Sequence, residues 1–201
     1  MSFFDKPENA GMALIVVALL NLIAAVIALY GGVSGDFDTG ATCVAIGAII
    51  CAIIYFKFGQ ELRNNAPSKI DTLATYVKTV GLVTVIGGVF CLGYLANSGD
   101  NMGYVSTGVI GIILGLIVMW CASKINDGKV TSADKILWII LTVIMVLEVI
   151  VTLVALVSSF GAGDALSILV TVAVNFCDLI IFLFMLLLLL DGEVKSKMGM
   201  N

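Results

Sequence analysis

The chain contains no histidine, which removes the commonest metal ligand and the usual general base near neutral pH. Charge is scarce as well: 12% of the 201 residues are charged while 61% are hydrophobic, and the mean hydropathy is +1.16. A soluble domain cannot cover that much apolar surface with so few polar groups, so the composition requires a lipid bilayer as the chain's environment. The ten basic residues never gather into a sizeable surface, which excludes nucleic acid as a partner. There is no nucleophile beside a base, no phosphate loop and no glycine-rich dinucleotide turn, so the expectation is that the protein is not an enzyme. Cys43, Cys51, Cys91, Cys121 and Cys177 all lie in apolar runs and none forms a Cys-x-x-Cys pair. There they read as small hydrophobes that let helices approach.

What the chain has in abundance is apolar runs of spanning length. Six are expected to be transmembrane helices, over Gly11–Val33, Thr39–Phe58, Leu73–Ala96, Tyr104–Ala122, Ile136–Phe160 and Ala165–Leu190. Each is long enough to cross most or all of a hydrocarbon core of about 30 Å at about 1.5 Å per residue. The first exceeds a signal-peptide core and ends in Gly-Gly-Val-Ser-Gly-Asp rather than a cleavage motif, so it is expected to be retained. The loops are too short for a second domain. The fold class is therefore an all-α integral membrane protein, 1–201 forming one membrane domain.

The basic residues are sorted by side. Lys6 precedes the first span, Lys57, Arg63, Lys69 and Lys78 lie around the second loop, Lys124, Lys129 and Lys135 around the fourth, and Lys195 and Lys197 follow the last span. The other three loops carry only Asp36, Asp38, Asp100 and Asp164. In loops this short the positive-inside rule applies, placing both termini in the cytoplasm, with a plasma or inner membrane as the expected location. Tyr30, Tyr94 and Tyr104 are expected at the outer interface, and Tyr55, Tyr76, Trp120 and Trp138 at the inner one.

Ser34-Gly35-Asp36, Ser98-Gly99-Asp100 and Ala162-Gly163-Asp164 recur every 64 residues, as do Tyr30 and Tyr94. This predicts three tandem helical-hairpin repeats of about 64 residues, over 10–73, 74–137 and 138–201, arranged about an approximate threefold axis or in a row. Gly47 and Cys51 occupy the repeat positions of Gly111 and Gly115, and span three adds Gly81, Thr84, Gly88 and Cys91 on one side. Such small-residue faces are expected to pack helices, within the chain or against a homo-oligomer or membrane partner subunit. Mitochondrial carriers also have three hairpins, but with only Pro7 and Pro67 this chain lacks their proline-and-charge signature. Rotary-ATPase proteolipids carry an acid in the second helix, as Asp178 is here, yet the repeat positions Ile50 and Leu114 are apolar. Neither resemblance holds.

The third hairpin differs from the other two. Its apolar runs of 25 and 26 residues each contain one central charge, Glu148 and Asp178. Counted from the shared turn, their depths differ by about 3 Å, so they are expected to meet at mid-membrane. Ser167, Thr171, Asn175 and Asp178 fall on one face of the last span, Ser159, Thr152 and Glu148 on one face of the fifth, and Asn21 lies near mid-span in the first. Two carboxylates close together in a medium of low dielectric cannot readily both ionise, so the pair should hold a proton or a cation. Intramembrane acids mark functional sites by default. Glu148, Asp178, Asn175, Thr171, Thr152 and Asn21 thus form a candidate ion- or proton-binding set, with Gly47, Cys51, Gly88, Gly111 and Gly115 as packing positions. No cofactor beyond a monovalent cation or proton is expected. The reading is an ion- or proton-coupled transport or channel component, and the alternative is a non-catalytic structural or accessory subunit of a larger membrane complex.

The orientation is testable with single cysteines in a cysteine-free background. A thiol at position 129 should react only with reagents reaching the cytoplasmic side and one at position 100 only with external reagents. External labelling of Lys129→Cys would overturn the assignment.

Overall fold

The structure is a computed structural model that describes residues 6–34, 38–65, 67–97, 101–125, 127, 130–161 and 165–200. Helices are the only regular elements among them: α1 (Pro7–Ser34), α2 (Thr39–Asn65), α3 (Lys69–Cys91, continued by a 3-10 stretch Leu92–Ala96), α4 (Met102–Ile125), α5 (Ser132–Ser158, continued by a 3-10 turn Ser159–Gly161), α6 (Ala165–Leu190) and the short α7 (Gly192–Lys197). The first six are long and apolar enough to cross a membrane. They contain the six expected spans. α2 runs past the apolar segment to Asn65, and α3 begins at Lys69, so both project polar turns at the basic-loop end. The Gly35-Asp36, Gly99-Asp100 and Gly163-Asp164 turns and Lys129 lie outside the described residues.

Helix starts follow local chemistry. Pro67 precedes Ser68, whose hydroxyl accepts the Asp71 N–H at 3.3 Å and whose position caps α3. At α5 the Asp134 carboxylate accepts the Thr131 N–H at 2.6 Å and its hydroxyl at 2.9 Å, satisfying a donor the helix cannot. α7, which hydropathy alone does not reveal, starts where Asp191 accepts the Glu193 N–H at 2.9 Å.

The helices pair in chain order: α1 with α2, α3 with α4, and less closely α5 with α6. Glycines close the first two hairpins. Gly11 abuts Gly59, Gly81 abuts Gly115 and Gly88 abuts Gly108, and a Cβ on Gly115 would come within 2.7 Å of the Gly81 carbonyl oxygen. α5 and α6 contain no glycine, so bulkier side chains hold them apart. Between hairpins, α2 packs on α3 and α6 packs on both α1 and α3, whereas α4 and α5 barely touch. The junction where α4 would meet α5 is thus much the weakest of the three.

The small-residue positions do not work as equivalents. Gly47 and Cys51 turn to α3 from the α2 side, with Phe90 against Gly47 and the Cys51 thiol 3.7 Å from the Val83 carbonyl. Gly111 and Gly115 turn to α3 from the α4 side. The same repeat positions therefore serve an inter-hairpin and an intra-hairpin contact, and α3 receives both. Tyr55 and Tyr76, expected near the inner interface, do not face lipid there. Both are in the core at 6% and 0% exposure, where the Tyr76 hydroxyl donates to the Ala10 carbonyl at 2.6 Å and its ring stacks on Phe184. A phenol can be buried when its hydroxyl finds an acceptor.

At the acidic-loop end a polar clasp joins the first two hairpins. Asp38 accepts from the Ala41 N–H at 2.9 Å and from Asn97 Nδ2 at 2.7 Å, and Asn97 Oδ1 accepts the Gly40 N–H at 3.1 Å. The bonds from Ala41 and Asn97 hold the Asp38 carboxyl below its ordinary value. The Tyr94 ring lies on Gly40 and stacks on Tyr104 at 4.2 Å.

The glycine seams give an unequal prediction. Gly115→Ala has to push Gly81 and Val85 aside and should cost about 1–3 kcal/mol, lowering the melting temperature in detergent. A Cβ on Gly111 would meet Gly88 Cα at an ordinary 3.5 Å, so Gly111→Ala should change stability by less than about 1 kcal/mol. Equal effects in a thermal melt would refute the seam as described.

Candidate functional site

Glu148 lies on the seam that α5 turns toward α6. Leu141, Met145, Thr152 and Ser159 are buried along α5, and Glu148 falls between Met145 and Thr152 at the three-and-four spacing of one helical face. Asp178 occupies α6 immediately after Cys177, whose thiol lies 3.8 Å from the Val17 carbonyl of α1. Both acids are half-buried, and they are near enough for the charge of Glu148 to act on Asp178. The field of Asp178 also reaches Tyr55 of α2. The aspartate thus follows the residue through which α6 meets α1, on the helix that pairs with α5.

The remaining candidates separate into those drawn in and those left out. Asn175 donates to Ser159 Oγ at 2.8 Å, a direct bond between the polar faces of α6 and α5, and Ser159 itself donates to the Ala155 carbonyl at 2.7 Å. Thr152 is buried on the same seam, at 6% exposure. Thr171 is exposed and its hydroxyl donates back to the Ser167 carbonyl at 2.8 Å, so it belongs to the mouth of the stripe rather than to the acids. Asn21 is half-buried, one turn beyond Val17 on the face of α1 that reaches Cys177. Its amide makes no hydrogen bond among the described residues.

Around Asp178 the environment of α6 changes. Among its described residues none before Cys177 is buried, whereas Cys177, Ile181, Phe184, Met185, Leu188 and Leu189 all are. The basic-loop end of α6 is sealed further by α7, whose Val194 and the following Met198 are 0% and 1% exposed. Polar ties hold this seal: Lys69 Nζ contacts Asp191 at 2.6 Å, Trp138 Nε1 donates to the Leu189 carbonyl at 2.7 Å, and the Lys195 ammonium lies 5.7 Å from the centre of the Trp138 ring. Among the described residues no three His, Cys, Asp or Glu side chains converge as a metal site requires. Set against protein-family models, curated proteins and solved structures, the chain finds no match.

The seal should respond to acid. Burial alone would push the Asp191 carboxyl up, but the bonds from Lys69 and the Glu193 N–H outweigh it and hold the group below its ordinary value. A carboxyl lowered in the folded state contributes stability that is complete above its unfolded value and is lost as pH falls through the folded one. Acidification from about pH 6 to about pH 3, across the ordinary Asp value, should therefore loosen α7 and shift Trp138 emission in a Trp120→Phe background. Asp191→Asn should reduce that change. An unaltered acid transition in Asp191→Asn would show that the Lys69 pair does not hold the seal.

Proposed function

We propose that the chain is an ion- or proton-coupled transport or channel component in which Glu148 and Asp178 hold the moving charge. The observation that carries this reading is the change in α6 around Asp178, from a half carrying exposed polar residues to a half sealed by apolar side chains. A proton or monovalent cation would enter from the acidic-loop side past Thr171 and Asn175, relieve the repulsion between the acids, and find the way beyond closed. No Lys or Arg stands near mid-span in α5 or α6 to neutralise the acids permanently, so an exchangeable ion remains the natural counter-charge. Such a component would have arisen from three copies of one hairpin, the third having exchanged its glycines for polar groups.

A second reading, an accessory subunit of a larger membrane complex, draws on α5. Val143, Leu147, Ile150, Val154 and Val157 are all exposed and follow the three-and-four spacing of a helix-packing seam. The face would receive a helix of another protein or of a second copy.

Reconstituted vesicles decide between them. The wild-type protein should take up protons or monovalent cations under a pH or voltage gradient, and Asp178→Asn should abolish uptake while circular dichroism and melting show the fold retained. Uptake unchanged in Asp178→Asn, or absent from wild-type vesicles of either orientation, would sink the transport reading. A wild type that moves nothing alone but copurifies with one membrane protein through α5 would support the accessory role.

A further inference from the structure

At the basic-loop end α3 and α4 part to leave a cleft of about 330 Å³, lined by Asp71, Thr75 and Lys78 from α3 and by Met119 and Ser123 from α4. The volume is at the small end for a ligand site, and its chemistry is ordered. Asp71, Thr75 and Lys78 are spaced i, i+4, i+7, one face of α3, with the acid nearest the helix start and the lysine about 10 Å farther into the membrane. Side chains lean toward the N-terminus of their helix, so the long Lys78 stem carries its ammonium back toward the level of Asp71. That ammonium lies 6.0 Å from the centre of the Phe58 ring and has no carboxylate partner among the described residues. Ser123 Oγ donates to the Trp120 carbonyl and retains acceptor capacity.

We propose that this cleft seats the headgroup of a phospholipid bearing a primary ammonium, with the phosphate on Lys78 and the ammonium on Asp71. In such a lipid the acyl chains, phosphate and ammonium follow one another in that order, and the cleft offers the apolar side of α4, then a cation, then an anion in the same direction. Asp71 is already hydrogen-bonded to Ser68, and a carboxylate has lone pairs for further donors. A quaternary ammonium has no N–H to give it, and a headgroup with no ammonium brings it no charge-assisted donor. The inference depends on the six helices lying in a membrane and is independent of the Glu148–Asp178 pair.

The test uses the full chain in detergent, with phosphatidylethanolamine, phosphatidylcholine, phosphatidylglycerol and soluble phosphoethanolamine as probes. Retained lipid is read by native mass spectrometry and stabilisation by melting. Phosphatidylethanolamine should bind about tenfold more tightly than phosphatidylcholine, the difference expected of one charge-assisted hydrogen bond. Lys78→Gln should abolish retention of phosphatidylethanolamine and Lys78→Arg should restore it. Asp71→Asn should erase the preference over phosphatidylcholine, and Asp71→Glu should keep it. Ser68→Ala, which weakens the helix cap while leaving the carboxylate, should also keep the preference, separating recognition from α3 stability. Equal retention of all three lipids, or retention unchanged in Lys78→Gln, overturns the proposal. Soluble phosphoethanolamine binding as tightly as the lipid would assign the cleft to a free phosphate ester and overturn the lipid assignment.

Discussion

In hydrocarbon an apolar side chain gains little by turning from lipid to protein, so helices stay together only where contact is closer, or polar bonding better, than lipid provides. The first two hairpins meet this condition by bringing backbones together at Gly11–Gly59, Gly81–Gly115 and Gly88–Gly108. α3 is central because it offers small residues to α4 and accepts Gly47 and Cys51 of α2 on another side. The Asp38–Asn97 clasp and the Tyr76–Ala10 bond then fix the two hairpins at their opposite ends. Together they form a platform against which the rest is placed.

The third hairpin is held differently. Without glycines, α5 and α6 rely on Asn175–Ser159 toward one end and Trp138–Leu189 toward the other, with the acids between. The looser pairing leaves room for polar side chains in mid-span, and the α6 contacts to α1 and α3 leave Asp178 half-buried rather than facing lipid alone. Such a location limits the cost of a carboxylate inside the membrane, which is lowest where other polar groups or water can reach it.

The six helices and their pairing were legible because apolar length and charge sorting are imposed directly by bilayer thickness. Counting from the shared turn gives only a rough depth, and the Asn175–Ser159 bond joins residues at unequal distances from it. Rotation about the helix axis was not legible. Gly47 and Gly111 stand 64 residues apart and look alike in the sequence but face α3 from different sides, and Asn21 forms no bond among the described residues comparable to that of Asn175. Tyr55 and Tyr76 escaped for a related reason: local sequence shows that a ring is near the end of a span, while only tertiary packing shows whether that end faces lipid or core. α7 is too short and too polar to register in hydropathy, yet Val194 and Met198 complete the core.

The order of the hairpins along the chain also bears on how the protein can be made. Synthesis proceeds from the N-terminus, and earlier segments can assemble before later ones emerge. α1 to α4 carry no acid in mid-span and can join through their glycine seams as soon as they enter the bilayer. The costlier α5 and α6 emerge after them, when α1 and α3, on which α6 packs, are already in place. Asp178 need then never linger against lipid. An insertion pathway that delivered α5 and α6 first would leave both acids against hydrocarbon, a cost that the order of the helices along the chain avoids.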